Sequence, residues 1–221
     1  MTLGVKVARK SGIMVSRSIG ALLILLYVAQ SAFIFHLLND RHELRCILRE
    51  QQLQMNELRE KLKILEIIED FQAGFDQGEV AQLTQVIYEE SKRYGYDPLL
   101  ILAVILTESS FRKGQVSSMG AQGLMQVKPS VGYELTRRRG IQWKGELSLF
   151  EPAFNVQLGT LYLFELILKF RDVKKAIIAY NVGENALKLR LKQGGKLPSF
   201  YLSKVMKQYK QLKEKYDHYK G

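Results

Sequence analysis

Apolar positions change their spacing several times along this chain, and each change predicts a different element. Ile19 to Leu38 reads IGALLILLYVAQSAFIFHLL, a run with no formal charge at neutral pH. As a helix of about 30 Å it matches the hydrocarbon thickness of a bilayer. Next the spacing becomes heptad: Leu37, Leu44, Leu58 and Leu65 share one phase with Gln51 in the gap, and Leu48, Met55 and Leu62 share the phase four residues on. That pattern predicts a helical stalk over 39–70, either as a coiled-coil seam or as a single amphipathic helix packing on the domain or on another protein's helix. From Phe71 the apolar positions recur at helical spacing with few strand-like alternations, which predicts one mainly α domain over 71–221. Helices are expected at 81–94, 99–106, 152–170, 172–180, 183–191 and 198–216. Asp97-Pro98 supplies an N-cap and a first-turn proline for the second of these.

Charge refines the picture. The first acid in the chain is Asp40, whereas Lys6, Arg9, Lys10 and Arg17 precede the apolar run. The positive-inside rule then places 1–18 in the cytoplasm, 19–38 across a membrane as a single pass, and the remainder outside. A cleaved signal peptide with Ala29-Gln30-Ser31 as its small-x-small site competes with this reading. The apolar run continues beyond that site to Leu38, which favours an anchor. The net charge is +11, from 33 Lys and Arg against 22 Asp and Glu, and fits an anionic partner. The one cysteine, Cys46, excludes a disulfide scaffold, and His36, His42 and His218 do not cluster, so neither metal nor cofactor is implied. Arg137-Arg138-Arg139 and the lysine-rich C-terminal stretch come with no nucleic-acid-binding motif. No nucleic acid is expected outside the membrane, so attraction to an anionic polymer or a solvated helix face are the readings left.

The chemistry concentrates after the most apolar helix. Leu99 to Leu106 is apolar on every side, and one carboxylate, Glu108, follows within Thr107-Glu108-Ser109-Ser110-Phe111. Apolar surroundings and the negative end of a helix dipole both favour the protonated carboxyl, as a general acid near neutral pH requires. An ordinary solvated glutamate at a helix end is the plainer alternative. Beyond it, Ser117 through Gln126 combines small residues and closely spaced glycines that allow a close backbone approach to a ligand, with Ser117 and Gln126 able to bond sugar hydroxyls or acetamido groups. Ala179-Tyr180-Asn181-Val182-Gly183 ends a later helix with an aromatic hydroxyl and an amide.

These segments together resemble the soluble lytic transglycosylases with a goose-type lysozyme-like fold. The resemblance rests on Glu108-Ser109-Ser110-Phe111, Ser117 to Gln126 with its Gly120-Ala121-Gln122-Gly123-Leu124-Met125-Gln126, Asn155 to Gly159, and Ala179 to Gly183, in that order across about 80–212. It implies a lysozyme-like helical domain that cleaves the β-1,4 bond between N-acetylmuramic acid and N-acetylglucosamine in peptidoglycan. Glu108 matches the single catalytic acid, and the product implied is a 1,6-anhydro sugar. Ser117, Gly123 and Gln126 match substrate-lining positions, Tyr180 matches a tyrosine near the acid, and Asn181 is a further candidate. Asn155 reads as structural. The resemblance also implies a bacterial inner-membrane protein with a periplasmic catalytic domain and peptidoglycan strands as its partner, and residues 40–69 are a candidate surface for homo- or hetero-oligomers.

The sequence departs from that family in places. Lys128 stands where methionine is usual, Val131 where threonine is usual, Val182 and Glu184 replace alanine and proline, and Leu197-Pro198 replaces a Glu-Thr pair upstream of Tyr201. Two other functions therefore stay open: a lysozyme-type hydrolase, for which Glu134, Glu146 or Glu151 would supply the second carboxylate, and a low-activity glycan-binding module recruited to an envelope-spanning complex.

Overall fold

Capping residues and prolines cut the chain into helices at defined points, and a computed structural model describes them over residues 17–216. In order they are α1 (Arg17–Phe71), α2 (Gln77–Tyr94), α3 (Pro98–Glu108), α4 (Pro129–Arg139), α5 (Pro152–Phe170), α6 (Val173–Val182), α7 (Glu184–Lys192) and α8 (Phe200–Lys215), with a 3₁₀ turn at Glu146–Phe150 before α5. Among the described residues the only β pairing is isolated bridges, so the mainly α expectation holds. The basic residues Lys6, Arg9 and Lys10 lie outside the described residues.

Local chemistry explains the boundaries. Asp76 accepts from the Glu79 N–H at 2.8 Å while the Glu79 carboxylate accepts from the Asp76 N–H at 3.1 Å, a reciprocal cap that starts α2. Asp97 accepts from the Leu99 N–H at 2.9 Å and Pro98 fills the first turn of α3. Helix α4 and the 3₁₀ turn were not anticipated. Arg137, Arg138 and Arg139 hide the apolar spacing of α4, which buries only Gly132, Leu135 and Thr136. Those arginines are ion-paired within the chain: Arg137 to Glu134, and Arg138 and Arg139 to Glu165 of α5.

The chain divides into two units, one ending at Met55 and one running from Asn56. In the first unit, an 18-residue window of α1 has mean hydropathy 2.1 with none of it buried, long and apolar enough to cross a membrane. In the second unit, α3 is the centre. Ile101, Leu102, Ala103 and Ile105 are fully buried. It packs chiefly on α8, while α5 packs on α2 and α6.

The expected boundary at 71 moves. Ile64, Ile67 and Ile68 near the end of α1 are fully buried in the same core as α3, and Lys92 of α2 pairs with Glu60 at 2.7 Å. Residues 56–71 therefore pack with the helical domain, whereas the heptad positions Leu44, Leu48, Met55, Leu58 and Leu62 are exposed. In the second unit the heptad positions Leu58 and Leu62 are exposed and Leu65 is partly buried against the core, to which Ile64, Ile67 and Ile68 belong. At the same end, Asp70 accepts from Lys215 at 2.7 Å and from the Tyr216 hydroxyl at 2.5 Å, clasping the end of α1 to the end of α8.

Because Ile67 is a core residue and not part of a free stalk, Ile67→Ala is expected to lower the unfolding free energy by about 2–5 kcal/mol. Urea unfolding of the full-length protein in detergent, followed by the near-ultraviolet signal of Trp143 and the tyrosines, measures it. A change under about 0.5 kcal/mol would place Ile67 outside the core.

Candidate active site

The site begins with the way α3 ends. Its last carbonyls are taken up by hydroxyls of the same segment: Thr107 Oγ1 donates to Ala103 O at 2.7 Å and Ser109 Oγ to Ile105 O at 3.1 Å. The next two residues, Ser110 and Phe111, have φ of 54° and 56°, a left-handed conformation that non-glycine residues seldom adopt. The fully buried Phe111 side chain holds that reversal in place. Glu108 is thereby the last helical residue of a buried helix, and its carboxyl faces a cleft of about 320 Å³.

Two influences set the protonation of Glu108. Burial comes first and pushes its pKa up to about 7 from 4.5. The Tyr201 hydroxyl, donating to Glu108 Oε1 at 2.5 Å, acts in the opposite direction because it favours the charged form. Tyr201 is itself buried, and its own pKa is raised, so the phenol stays a donor.

Residues 115–127 form a wall of the same cleft, shaped by hydrogen bonds to its backbone from its own chain and from side chains. Ser117 Oγ accepts from Ala121 N–H at 3.0 Å and closes a tight turn, and Gln122 and Val127 exchange two backbone bonds of 3.0 Å each. Asn155, fully buried on α5, clamps this wall. Its Nδ2 donates to Gln122 O and Leu149 O, both at 2.9 Å, and its Oδ1 accepts from Met125 N–H at 2.8 Å. One turn along α5, Gly159 lets the wall in: a Cβ there would lie 2.6 Å from Met125 Sδ. Tyr180 of α6 adds a further tie, its hydroxyl donating to Met125 O at 2.8 Å, with its ring 5.3 Å from that of Tyr162.

Glu108, Ser117, Gln126, Tyr180 and Asn181 all line the one cleft. Gln126 reaches it from a left-handed backbone (φ 49°), with Nε2 donating to Gly123 O at 2.8 Å and Gln115 O at 3.2 Å. Gly123, by contrast, is not among the lining residues. It is buried behind the wall with φ 76°, and a Cβ would fall 2.3 Å from Asn155 Nδ2 and 2.4 Å from Leu149 O. Its lack of a side chain lets it pack against Asn155 and Leu149. Tyr201 is the site residue that sequence reasoning did not single out, since nothing in the spacing joins it to a carboxylate 93 positions earlier.

Charge in the cleft is sparse. The lining residues carry one carboxylate, Glu108, and one cation, Lys128. Glu134, Glu146 and Glu151 do not line it; Glu134 is turned to Arg137 at 2.9 Å. Chemically, this is an arrangement that can donate a proton near neutral pH and take it back, next to hydroxyl and amide groups suited to a polyol.

Comparison with known proteins gives a consistent result. The family described as "Transglycosylase SLT domain" matches residues 85–202, more than half of the chain. A "Transglycosylase" of Enterobacteria phage PRD1 is 33% identical over 126 residues, 57% of this chain and 42% of the phage protein. A "Membrane-bound lytic murein transglycosylase C" of Mannheimia succiniciproducens is 37% identical over 112 residues, 46% of this chain and 31% of that one. The chain matches less than half the length of these curated relatives. Among solved structures, an inactive mutant of the lytic transglycosylase Slt from Pseudomonas aeruginosa aligns with 26% identity and a TM-score of 0.47, over 58% of this chain and 22% of that one.

Two outcomes test the geometry. A carboxyl whose folded pKa is about 7 against 4.5 unfolded favours the fold most below pH 4.5, and that advantage is lost as pH rises to about 7. Glu108→Gln is therefore expected to leave stability unchanged at pH 4 and to raise it by about 2 kcal/mol at pH 8. Tyr201→Phe, which removes the donor to the charged form, is expected to shift the window of loss upward; thermal melts across pH measure both. Asn155→Ala leaves the buried Met125 N–H and Leu149 O without that partner, while Gln122 O keeps its bond from Val127 N–H, and is expected to cost about 2–4 kcal/mol in urea unfolding.

Proposed function

The chain belongs to the transglycosylase SLT domain family, and on that premise we propose that it cleaves the β-1,4 bond between N-acetylmuramic acid and N-acetylglucosamine in peptidoglycan without consuming water. The observation that carries the reading is the cleft's single carboxylate, half-buried, its pKa raised to about 7 and its Oε1 hydrogen-bonded to Tyr201. Hydrolysis by paired carboxylates requires a second one about 5–9.5 Å from the first, across the scissile bond. No second carboxylate lines this cleft among the described residues, which favours an intramolecular nucleophile over an activated water.

In the proposed reaction, Glu108 in its protonated form gives its proton to the glycosidic oxygen as the C1–O4 bond breaks. The N-acetylglucosamine O4 leaves as a hydroxyl. The Glu108 carboxylate then removes the proton from the C6 hydroxyl of the muramoyl residue while that oxygen bonds to C1. The products are a 1,6-anhydromuramoyl end and a free N-acetylglucosamine end, and Glu108 is again protonated. Positioned proton transfer of this kind contributes roughly 10²- to 10⁴-fold in rate. Tyr201 acts through Glu108 as a positioning residue, and Ser117, Gln126, Tyr180 and Asn181 are the proposed sugar-facing groups. Gly123 supports that wall from behind.

The proposed setting is a bacterial inner membrane crossed once by 19–38, with the N-terminus cytoplasmic and the helical domain periplasmic. The exposed apolar surface of α1 and the basic residues before it support that orientation. The exposed heptad positions through Leu62 are the proposed surface for a homo- or hetero-oligomer within residues 40–69.

Full-length protein in detergent, wild type and Glu108→Gln, incubated with purified peptidoglycan, tests the chemistry. The expected products are muropeptides one water lighter than reducing-end sugars by mass spectrometry, at a rate at least 10³-fold lower for Glu108→Gln. Reducing ends from the wild type would mean hydrolysis. Release at an undiminished rate from Glu108→Gln would remove Glu108 from the chemistry, and binding without release from either protein would point to a glycan-binding module.

A further inference from the structure

The cleft's cation has no role in the proton transfer described above. Lys128 lines the cleft and is exposed, and none of the hydrogen bonds, ion pairs or ring contacts found among the described residues involves its ammonium. It is not the counter-charge of Glu108, whose protonation answers to burial and Tyr201. Nor is its placement loose. Lys128 is the N-cap residue of α4, with extended backbone (φ −73°, ψ 140°), and Pro129 follows in the first turn. Val127 before it is buried and tied to Gln122 by two backbone bonds. The lysine backbone is thus pinned on both sides while its side chain is left open to the cleft. The positive end of the α4 dipole lies at the same edge, which adds to the local preference for a negative group.

We propose that Lys128 recognises a carboxylate of the bound glycan strand, making it a specificity-determining position of this cleft. The inference rests on the peptidoglycan reading above. Peptidoglycan presents carboxylates from two sources, the lactyl group of the muramoyl sugar where no peptide is attached and the attached peptide itself. A lysine is suited to either: it offers a compact charge with rotatable donors on a flexible stem, and does not demand the planar two-point geometry of arginine. In a cleft whose remaining lining is neutral apart from the acid, Lys128 separates charged from uncharged strands. A neutral side chain at this place would bind the sugar backbone alone.

The test uses the full-length protein carrying Glu108→Gln, so that nothing is cleaved, in detergent micelles at low salt. Lys128→Met and Lys128→Arg are added to that background. Calorimetry measures binding of four fragments: a muramoyl tetrasaccharide with free lactyl carboxylates, the same sugar with attached peptides, the peptide-bearing form with its carboxyls amidated, and an uncharged N-acetylglucosamine tetrasaccharide. Lys128→Met is expected to weaken one or both carboxylated fragments about fivefold and to leave the amidated and uncharged ones unchanged. Lys128→Arg is expected to retain most of the affinity, and added salt to shrink the difference. The fragment that loses affinity identifies the carboxylate source. An equal loss on all four fragments, or no loss on any, would overturn the role of Lys128 while leaving glycan binding intact. Absence of binding to every fragment before Lys128 is changed would instead bring down the peptidoglycan reading and this inference with it.

Discussion

A helix packed on nearly every side sets its last side chain partly out of water, and that constraint organises this protein. Helix α3 is enclosed by the other elements of its unit, and the one charged residue it carries is its last. Desolvating a carboxylate is unfavourable, and the group responds by holding its proton to higher pH. The acid in the cleft is therefore a product of packing. Its strength follows from how completely the leucines and isoleucines of α3 are covered, and Tyr201 trims it in the opposite direction.

The second requirement is a wall that stays put without regular secondary structure. A loop buried against a core must pair its backbone groups, and residues 115–127 have no ladder to do so. Asn155 meets that need from α5 with one acceptor and two donated hydrogen bonds, and glycines at 123 and 159 remove the side chains that would hold the layers apart. The neutral amide suits this place because it offers donors and an acceptor at once, which neither a carboxylate nor a lysine does.

Much of this was legible in the sequence, for reasons that differ by residue. Asp97-Pro98 marked the start of α3 and the apolar run marked its burial, so the raised pKa of Glu108 could be reasoned from the sequence. Helix α5 begins at Pro152 and ends at Phe170 as its spacing indicates. What could not be read depended on contacts far apart along the chain. The heptad phase of α1 drew attention to exposed positions such as Leu58 and Leu62, while Ile64, Ile67 and Ile68 lie off that phase and their partners are helices not yet met. Gly123 looked like a place for a ligand because a glycine in a loop has more than one use, and its packing against Asn155 left no local signal. Tyr201 carried no local signal, since its meaning lies in Glu108.

That last pairing has a consequence for the order of assembly. Glu108 and Tyr201 are 93 residues apart, and the clasp of Asp70 to Tyr216 closes a span of 146. Contacts of such separation form late, because a long chain must close before they can be made. Helix α8 is the last helix of the described chain to be synthesised, and it carries both tyrosines, one at its first turn and one just past its end. Until α8 packs, α3 lacks its chief neighbour and Glu108 lacks the hydroxyl that orients it. Packing of α8 on α3 and readiness of the site thus arrive together, because one helix supplies both the cover of the core and the hydroxyl that orients Glu108.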